Sequence, residues 1–224
     1  MKTLKLPIFA LILASVACNK NTTTPDPVVP DKYMSFSSGS SWNYRQLNNL
    51  TSVTTNYVVS STTRDSIING KTYHVFTNSN TGGNEYYYTT GNDYFTYRLL
   101  GALGNAAVED NYLKDNAPVN FSWSQAYNIS VPGVPFAVPV TVTYTIKETG
   151  ISRTVNGIAY TDVIHSSGVI TSALVPSASL VTDIQNYFAR KYGMIETRNK
   201  LSLNFMGITQ NVDNTNTLVS AVIK

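Results

Sequence analysis

Apolar and polar residues alternate with a period of two along most of this chain, the spacing of strands with one buried and one solvated face. The segment VTVTYTIK, Val140 to Lys147, shows the pattern most fully: Val140, Val142, Tyr144 and Ile146 share one face, while Thr141, Thr143, Thr145 and Lys147 share the other. β-Branched and aromatic residues of this kind suit a pleated, half-buried surface. The same alternation predicts strands in NYVVSSTT, TYHVFT, EYYYTT, DYFTYRL, AYTDVIHS, NYFARKY, MIETRN, LSLNF and TLVSAVI, separated by Asn-Gly, Gly-Asn and Tyr-Gly pairs of hairpin type. No convincing amphipathic helix is present. LLGALGNAAVEDNYL and VITSALVPSASLV have room for a turn or two, but Gly101, Gly104 and Pro176 limit both. The expected class is therefore all-β, antiparallel and built from β-meanders.

Parts of the chain echo each other. TRDSIINGKTYHVFTNS (63–79) and ISRTVNGIAYTDVIHSS (151–167) each carry an apolar residue, Asn-Gly, two residues and then Tyr; further on, EYYYTTGNDYFTYR (85–98) and NYFARKYGMIETR (186–198) match in outline. Either the stretches 53–100 and 140–200 are two passes of one duplicated meander, or hairpins that all favour Asn-Gly have converged. PGVPFAVP (132–139) divides the two passes. Its prolines lack N–H donors, so they belong in a loop or at a sheet edge.

The N-terminus reads differently. Lys2 and Lys5 precede an apolar, uncharged run from Leu6 to Ala17, then Cys18, the layout of a secretory signal peptide over residues 1–17. The run is too short to cross a bilayer, which takes about 20 residues as a helix. SVAC (15–18) resembles the lipobox of bacterial lipoproteins, in which the cysteine becomes the lipidated first residue; ordinary cleavage after Ala17 is the alternative. Cys18 is the single cysteine of the chain, so no internal disulfide can brace an exported domain. Residues 18–32, with Pro25, Pro27 and Pro30, form a tether of about 40 Å, and residues 33–224 remain as a single β domain large enough for its own core.

Composition narrows the chemistry. The 16 basic residues less Lys2 and Lys5 face 13 acidic ones, near +1 for the processed chain, which offers no basic footprint for nucleic acid. Zinc-protease, serine-hydrolase, nucleotide-binding and dinucleotide-binding motifs are absent. His74 and His165 lie on predicted strands, each on the face opposite the neighbouring Tyr73 or Tyr160, and no third ligand or nucleophile is spaced to join them. Glu109, Asp110 and Asp115 in VEDNYLKDN read as a solvated loop without the pattern of a calcium loop. No catalytic residue, metal ligand or cofactor is expected. The abundant tyrosines carry an apolar body and a polar tip, fit either for cross-strand packing or for a semi-polar groove. Tyr86, Tyr87, Tyr88, Tyr94 and Tyr97 are the candidate ligand-binding aromatics, because Tyr87 points away from Tyr86 and Tyr88 and one of the two faces must be wet or capped.

GSSWNYR (39–45), DSIINGKTY (65–73) and NYFARKYGMIETRN (186–199), together with the lipobox and the proline tether, resemble the envelope lipoproteins common in Bacteroidota-type bacteria. That resemblance implies a strongly curved sheet or partial barrel, and it implies no reaction. DSI (65–67) resembles the O-glycosylation sequon of such bacteria, with Ser66 as acceptor. Surface-directed members often carry acidic residues just after the cysteine. Here none precedes Asp26, so attachment on the periplasmic side of the outer membrane stands beside surface exposure. The expected role is a lipid-anchored, non-enzymatic envelope domain binding a small molecule, a glycan or a protein. A carrier of a lipid or other apolar molecule and a glycan-acting hydrolase are the alternatives.

Overall fold

The computed structural model describes residues 32–99, 107–130 and 134–224; the signal peptide, Cys18 and nearly all of the tether lie outside them. Twelve strands follow one another: β1 (Ser41–Asn48), β2 (Thr54–Ile68), β3 (Lys71–Asn78), β4 (Gly83–Thr90), β5 (Asp93–Leu99), β6 (Ala107–Lys114), β7 (Ser122–Ser130), β8 (Ala137–Val155), β9 (Ile158–Thr171), β10 (Leu180–Ala189), β11 (Gly193–Phe205) and β12 (Ile208–Val222). All twelve belong to one antiparallel sheet in the order β6-β5-β4-β3-β2-β1-β12-β11-β10-β9-β8-β7. The first strand pairs with the last, and only β6 and β7 lack a ladder between them, so the sheet is a nearly closed barrel. Among the described residues helix is confined to a single 3-10 turn, Ser177–Ser179, beside Pro176.

Turn chemistry sets the register. Asn69 and Gly70 both have positive φ (50° and 77°), as do Asn156 and Gly157 (49° and 80°), the backbone a two-residue type I′ hairpin requires. Ile68 therefore faces Lys71, and Val155 faces Ile158. Bulges let the strands curve: β2 shifts register between Ser61 and Asp65, and β8 shifts between Ile146 and Arg153. Such bulges allow β8 to run for 19 residues, although only its first half shows clean alternation. Val140, Val142, Tyr144 and Ile146 all point inward and are buried. Outward, Ser122 and Ser124 of β7 share hydrogen bonds of 2.7 Å with Thr145 and Thr143 of β8. This half of the barrel is apolar within and polar without, the reverse of a lipid-facing barrel wall.

Three strands were not expected from the sequence: β1, β6 and β7. The acidic segment read as a loop is strand β6, because its charges are neutralised in place. Asp110 turns inward to Arg98 (2.5 Å) and Glu109 turns outward to Lys71 (2.6 Å). Pro139 lies near the start of β8 opposite Asn128 of β7, before the pairing with β9 begins at Thr141, so its missing N–H falls where one side of the strand has no partner.

The open seam between β6 and β7 is bridged by side chains. Trp123 Nε1 donates to the Asn111 carbonyl (2.8 Å), Gln125 Oε1 accepts from the Asn111 N–H (2.7 Å), and the Tyr127 hydroxyl donates to the Glu109 carbonyl (2.8 Å). Three alternate residues of β7 thus reach backbone groups of β6 that a further strand would otherwise pair. The N-terminal segment is tied in near the β10–β11 turn. Tyr33 is buried, its N–H donates to the Tyr94 hydroxyl (3.0 Å), its own hydroxyl donates to the Asp162 carbonyl (3.1 Å), and the Lys191 N–H donates to the Lys32 carbonyl (2.7 Å).

Candidate functional site

Inward positions of β1, β2, β4, β5, β6, β8, β10, β11 and β12 surround an interior cavity of about 200 Å³. One wall is aromatic: Trp42 and Tyr44 come from β1, Tyr57 from β2, Tyr87 from β4 and Tyr112 from β6. Strand periodicity puts Glu85 on the same face as Tyr87 and Arg98 on the same face as Thr96, and all four line the space. Another part of the lining is amide- and hydroxyl-rich, with Asn186, Thr197, Asn199 and Asn216. Apolar clusters pack the barrel beside it: Tyr94, Leu113, Ile146 and Ile164 in one, which shares Tyr33 and Phe188 with the cavity lining, and Ile129, Val138, Val140, Leu180, Leu201 and Leu203 in another.

The charged groups are arranged unequally. Asp110, whose side chain is 3% exposed, accepts from Arg98 (2.5 Å), from the Tyr144 hydroxyl (2.9 Å) and from Gln125 (3.2 Å). Arg98 leaves 51% of its side-chain surface uncovered while it lines the cavity; burial works against its charge, but Asp110 and its hydrogen bond raise the guanidinium pKa further above its ordinary value. Glu85 accepts from Asn78 Nδ2 (2.5 Å) and from the Tyr87 hydroxyl (2.7 Å). Burial, aided by Glu85, pushes the phenols of Tyr57 and Tyr87 well above their ordinary range. Both stay neutral at any physiological pH.

Among the residues picked out from the sequence, Tyr87 lines the cavity, while Tyr86, Tyr88 and Tyr97 point to the other side of the sheet. There Tyr88 and Tyr97 cover Tyr73, and the Lys71 ammonium lies 5.9 Å from the Tyr88 ring and 5.3 Å from that of Phe95. Tyr94 is fully enclosed; its hydroxyl donates to Asp115 (2.7 Å) and accepts from the Tyr33 N–H. Ser66 lies in β2 opposite Tyr73 and is half-buried. The sequence reading missed Glu85 and Arg98. Their only signal is position, two residues from Tyr87 and from Thr96 on an inward face.

His74 corrects an expectation. Ser61 Oγ lies 2.9 Å from His74 Nε2, and His74 Nδ1 lies 2.9 Å from Asp65 Oδ1, the order of nucleophile, base and orienting carboxylate. A nucleophile does join His74, carried there by the bulge in β2. Yet Ser61 is buried, its hydroxyl also lies 3.1 Å from the Phe36 carbonyl, and one hydrogen cannot serve both acceptors. The imidazole packs edge-on against Phe36 and Phe76, and none of the three residues lines the cavity. The group pins the N-terminal segment to β2. His165 has different partners, Glu148 (2.9 Å) and Gln185 (2.7 Å), and stacks on Tyr187 at 4.2 Å. Among the described residues no three His, Cys, Asp or Glu side chains are grouped to hold a metal ion.

No protein-family model and no curated protein matches the chain. Two solved structures are similar in fold. One is a candidate lipoprotein from Parabacteroides distasonis, 8% identical, with a TM-score of 0.47 over 87% of this chain and 100% of that one. The other is a candidate exported protein with a YmcC-like fold from Bacteroides fragilis, 9% identical, with a TM-score of 0.41 over the same shares. Both come from Bacteroidota. At such values the likeness says nothing about function.

Proposed function

We propose that this is a cell-envelope protein, tethered to a membrane through lipid on Cys18, whose barrel binds a small ligand in its interior. The observation that carries the reading is the cavity wall: Glu85, Arg98 and a row of asparagine and threonine side chains occupy inward positions of a barrel whose remaining interior is packed with Leu, Ile, Val and aromatic rings. Polar and charged groups inside a protein carry a desolvation cost that apolar side chains avoid, even when they are partnered within the protein. A cargo that is apolar throughout fits this wall poorly, since it would strip water from these groups without replacing its hydrogen bonds. A hydrolase using Asp110 is also disfavoured, because that carboxylate is committed to three donors.

Native mass spectrometry of the full protein, extracted gently from its host's membranes, tests the proposal. The expected spectrum shows the mass of lipid on the Cys18 residue and a stoichiometric small molecule. A lipidated chain that carries no added mass, and takes up none from a host-cell metabolite extract, would overturn the ligand reading. An unlipidated chain cut after Ala17 would overturn the anchor.

A further inference from the structure

We propose that the cavity takes a small organic cation, an ammonium group seated against the rings of Tyr44, Tyr57, Tyr87 and Tyr112 with Glu85 as its counter-ion. This rests on reading the cavity as a ligand site and adds the chemical class of the ligand.

The argument begins with Glu85. Each of its carboxylate oxygens accepts one hydrogen bond from a neutral donor, Asn78 or Tyr87, and among the described residues no cation forms an ion pair with it. The nearest cation by register is Arg98, one step beyond the Tyr86↔Tyr97 pair of the β4–β5 hairpin. Arg98 is turned instead to Asp110 on β6. Two carboxylates and one guanidinium leave the interior with one negative charge in excess.

The rings around it have spent their polar tips. Tyr44 donates to the Met194 carbonyl (2.8 Å), Tyr57 to Asn216 (3.3 Å), Tyr87 to Glu85, and Tyr112 to the Met34 sulfur (3.4 Å); Trp42 Nε1 donates to the Tyr192 carbonyl (2.8 Å). What remains to meet a ligand is ring carbon. Tyr44 and Tyr57 stack with centroids 5.4 Å apart, and Tyr87 stands edge-on to Tyr112 at 6.2 Å, so the wall is continuous. Electron-rich rings beside a carboxylate attract a cation; the donors of the same cavity, Arg98 and the asparagine amides, lie outside this aromatic patch, and Arg98 is already paired with Asp110. The space of about 200 Å³ is below the roughly 300–1,000 Å³ that drug-sized ligands occupy, which limits the cation to a small one.

The test is calorimetric titration of the full-length protein in detergent with choline, and with 3,3-dimethylbutan-1-ol, which has the same shape without the charge. The expected result is a preference for choline of at least about tenfold, the size of a desolvated cation–ring contact. In Glu85→Gln the preference should collapse to near unity. Equal binding of both probes, or an unchanged preference in Glu85→Gln at unchanged melting temperature, overturns the cation while leaving a ligand site standing. Failure to bind choline also overturns it; a stoichiometric neutral or anionic molecule in the native mass spectrum would then keep the ligand reading alive without it.

Discussion

Replacing Gln125 by methionine should unfasten the seam between β6 and β7 at a cost that can be worked out group by group. Methionine keeps the length and most of the volume, so packing changes little. The buried N–H of Asn111 loses its acceptor, at about 1–3 kcal/mol for an orphaned backbone donor. Asp110 loses one of three donors; at 3.2 Å this bond is long, and about 1 kcal/mol is a fair allowance. The Asn111 carbonyl keeps Trp123, and Asp110 keeps Arg98 and Tyr144, so neither is stranded. The expected loss is about 3 kcal/mol, or a fall of roughly 6–12 °C in melting temperature for a domain of this size. Urea denaturation followed by circular dichroism measures it, with an unchanged m-value showing that the loss lies in stability. Ser124→Ala is the control, since that side chain points outward and is exposed; it should stay within about 0.5 kcal/mol. If Gln125→Met matched the control, side-chain bridging would not be what holds the open edge.

Gly168→Ala should destabilise by about 1–3 kcal/mol, because a Cβ there would lie 3.0 Å from the Tyr144 ring and 3.1 Å from Ile184 Cβ; thermal melts check it, and a neutral result would mean that Tyr144 moves freely. Burial works to raise the Glu109 pKa, but hydrogen bonds from Lys71 and Tyr73 and the charge of Lys71 hold it below its ordinary value. Its contribution is therefore complete above about pH 4.3, the unfolded value, and is lost as pH falls through the lower folded value. Urea midpoints of wild type and Glu109→Gln should converge below that pH and diverge above it; parallel curves would refute the assignment. For the Ser61–His74–Asp65 group, wild type and Ser61→Ala should release p-nitrophenol from p-nitrophenyl acetate at the same rate. A Ser61-dependent burst would make the group catalytic.

Hairpin registers were the most legible feature of the sequence. A two-residue Asn69–Gly70 turn makes Ile68 face Lys71, and counting outward in pairs brings Asp65 opposite His74, as observed. Counting further fails at Ser61, since the bulge after it moves its partner from residue 78 to Phe76; nothing in SSTTR announces that break. Period two likewise separated Tyr87 from Tyr86 and Tyr88 but could not say which face turns inward, because both carry aromatics. The choice is made by β3 and β5 on either side, where Phe76 and Thr96 share Tyr87's face. Strand β6 stayed hidden for an electrostatic reason. Its two adjacent acids belong in a strand only because Lys71 and Arg98, 38 and 12 residues away, meet them from opposite faces.

The cavity follows from strand number and its lining does not. About eight strands make a barrel whose inward side chains just fill it, so a twelve-stranded sheet must be pinched or left partly hollow. Here the apolar clusters around Tyr33 and around Leu201 do the pinching, and the hollow lies among the inward residues left over. Stability alone would line that hollow with Leu, Val and Phe, as the clusters themselves do. Instead β4, β5, β10, β11 and β12 place Glu85, Arg98, Asn186, Thr197, Asn199 and Asn216 there. Local departures from the packing logic that the rest of a chain obeys are characteristic of functional positions. The departure is confined to one part of one interior, and that confinement is the reason for placing the ligand there rather than on the outer Tyr88–Tyr97 surface. On that surface Lys71 already supplies the rings with a cation, whereas the interior carboxylate of Glu85 has no ion-pair partner among the described residues.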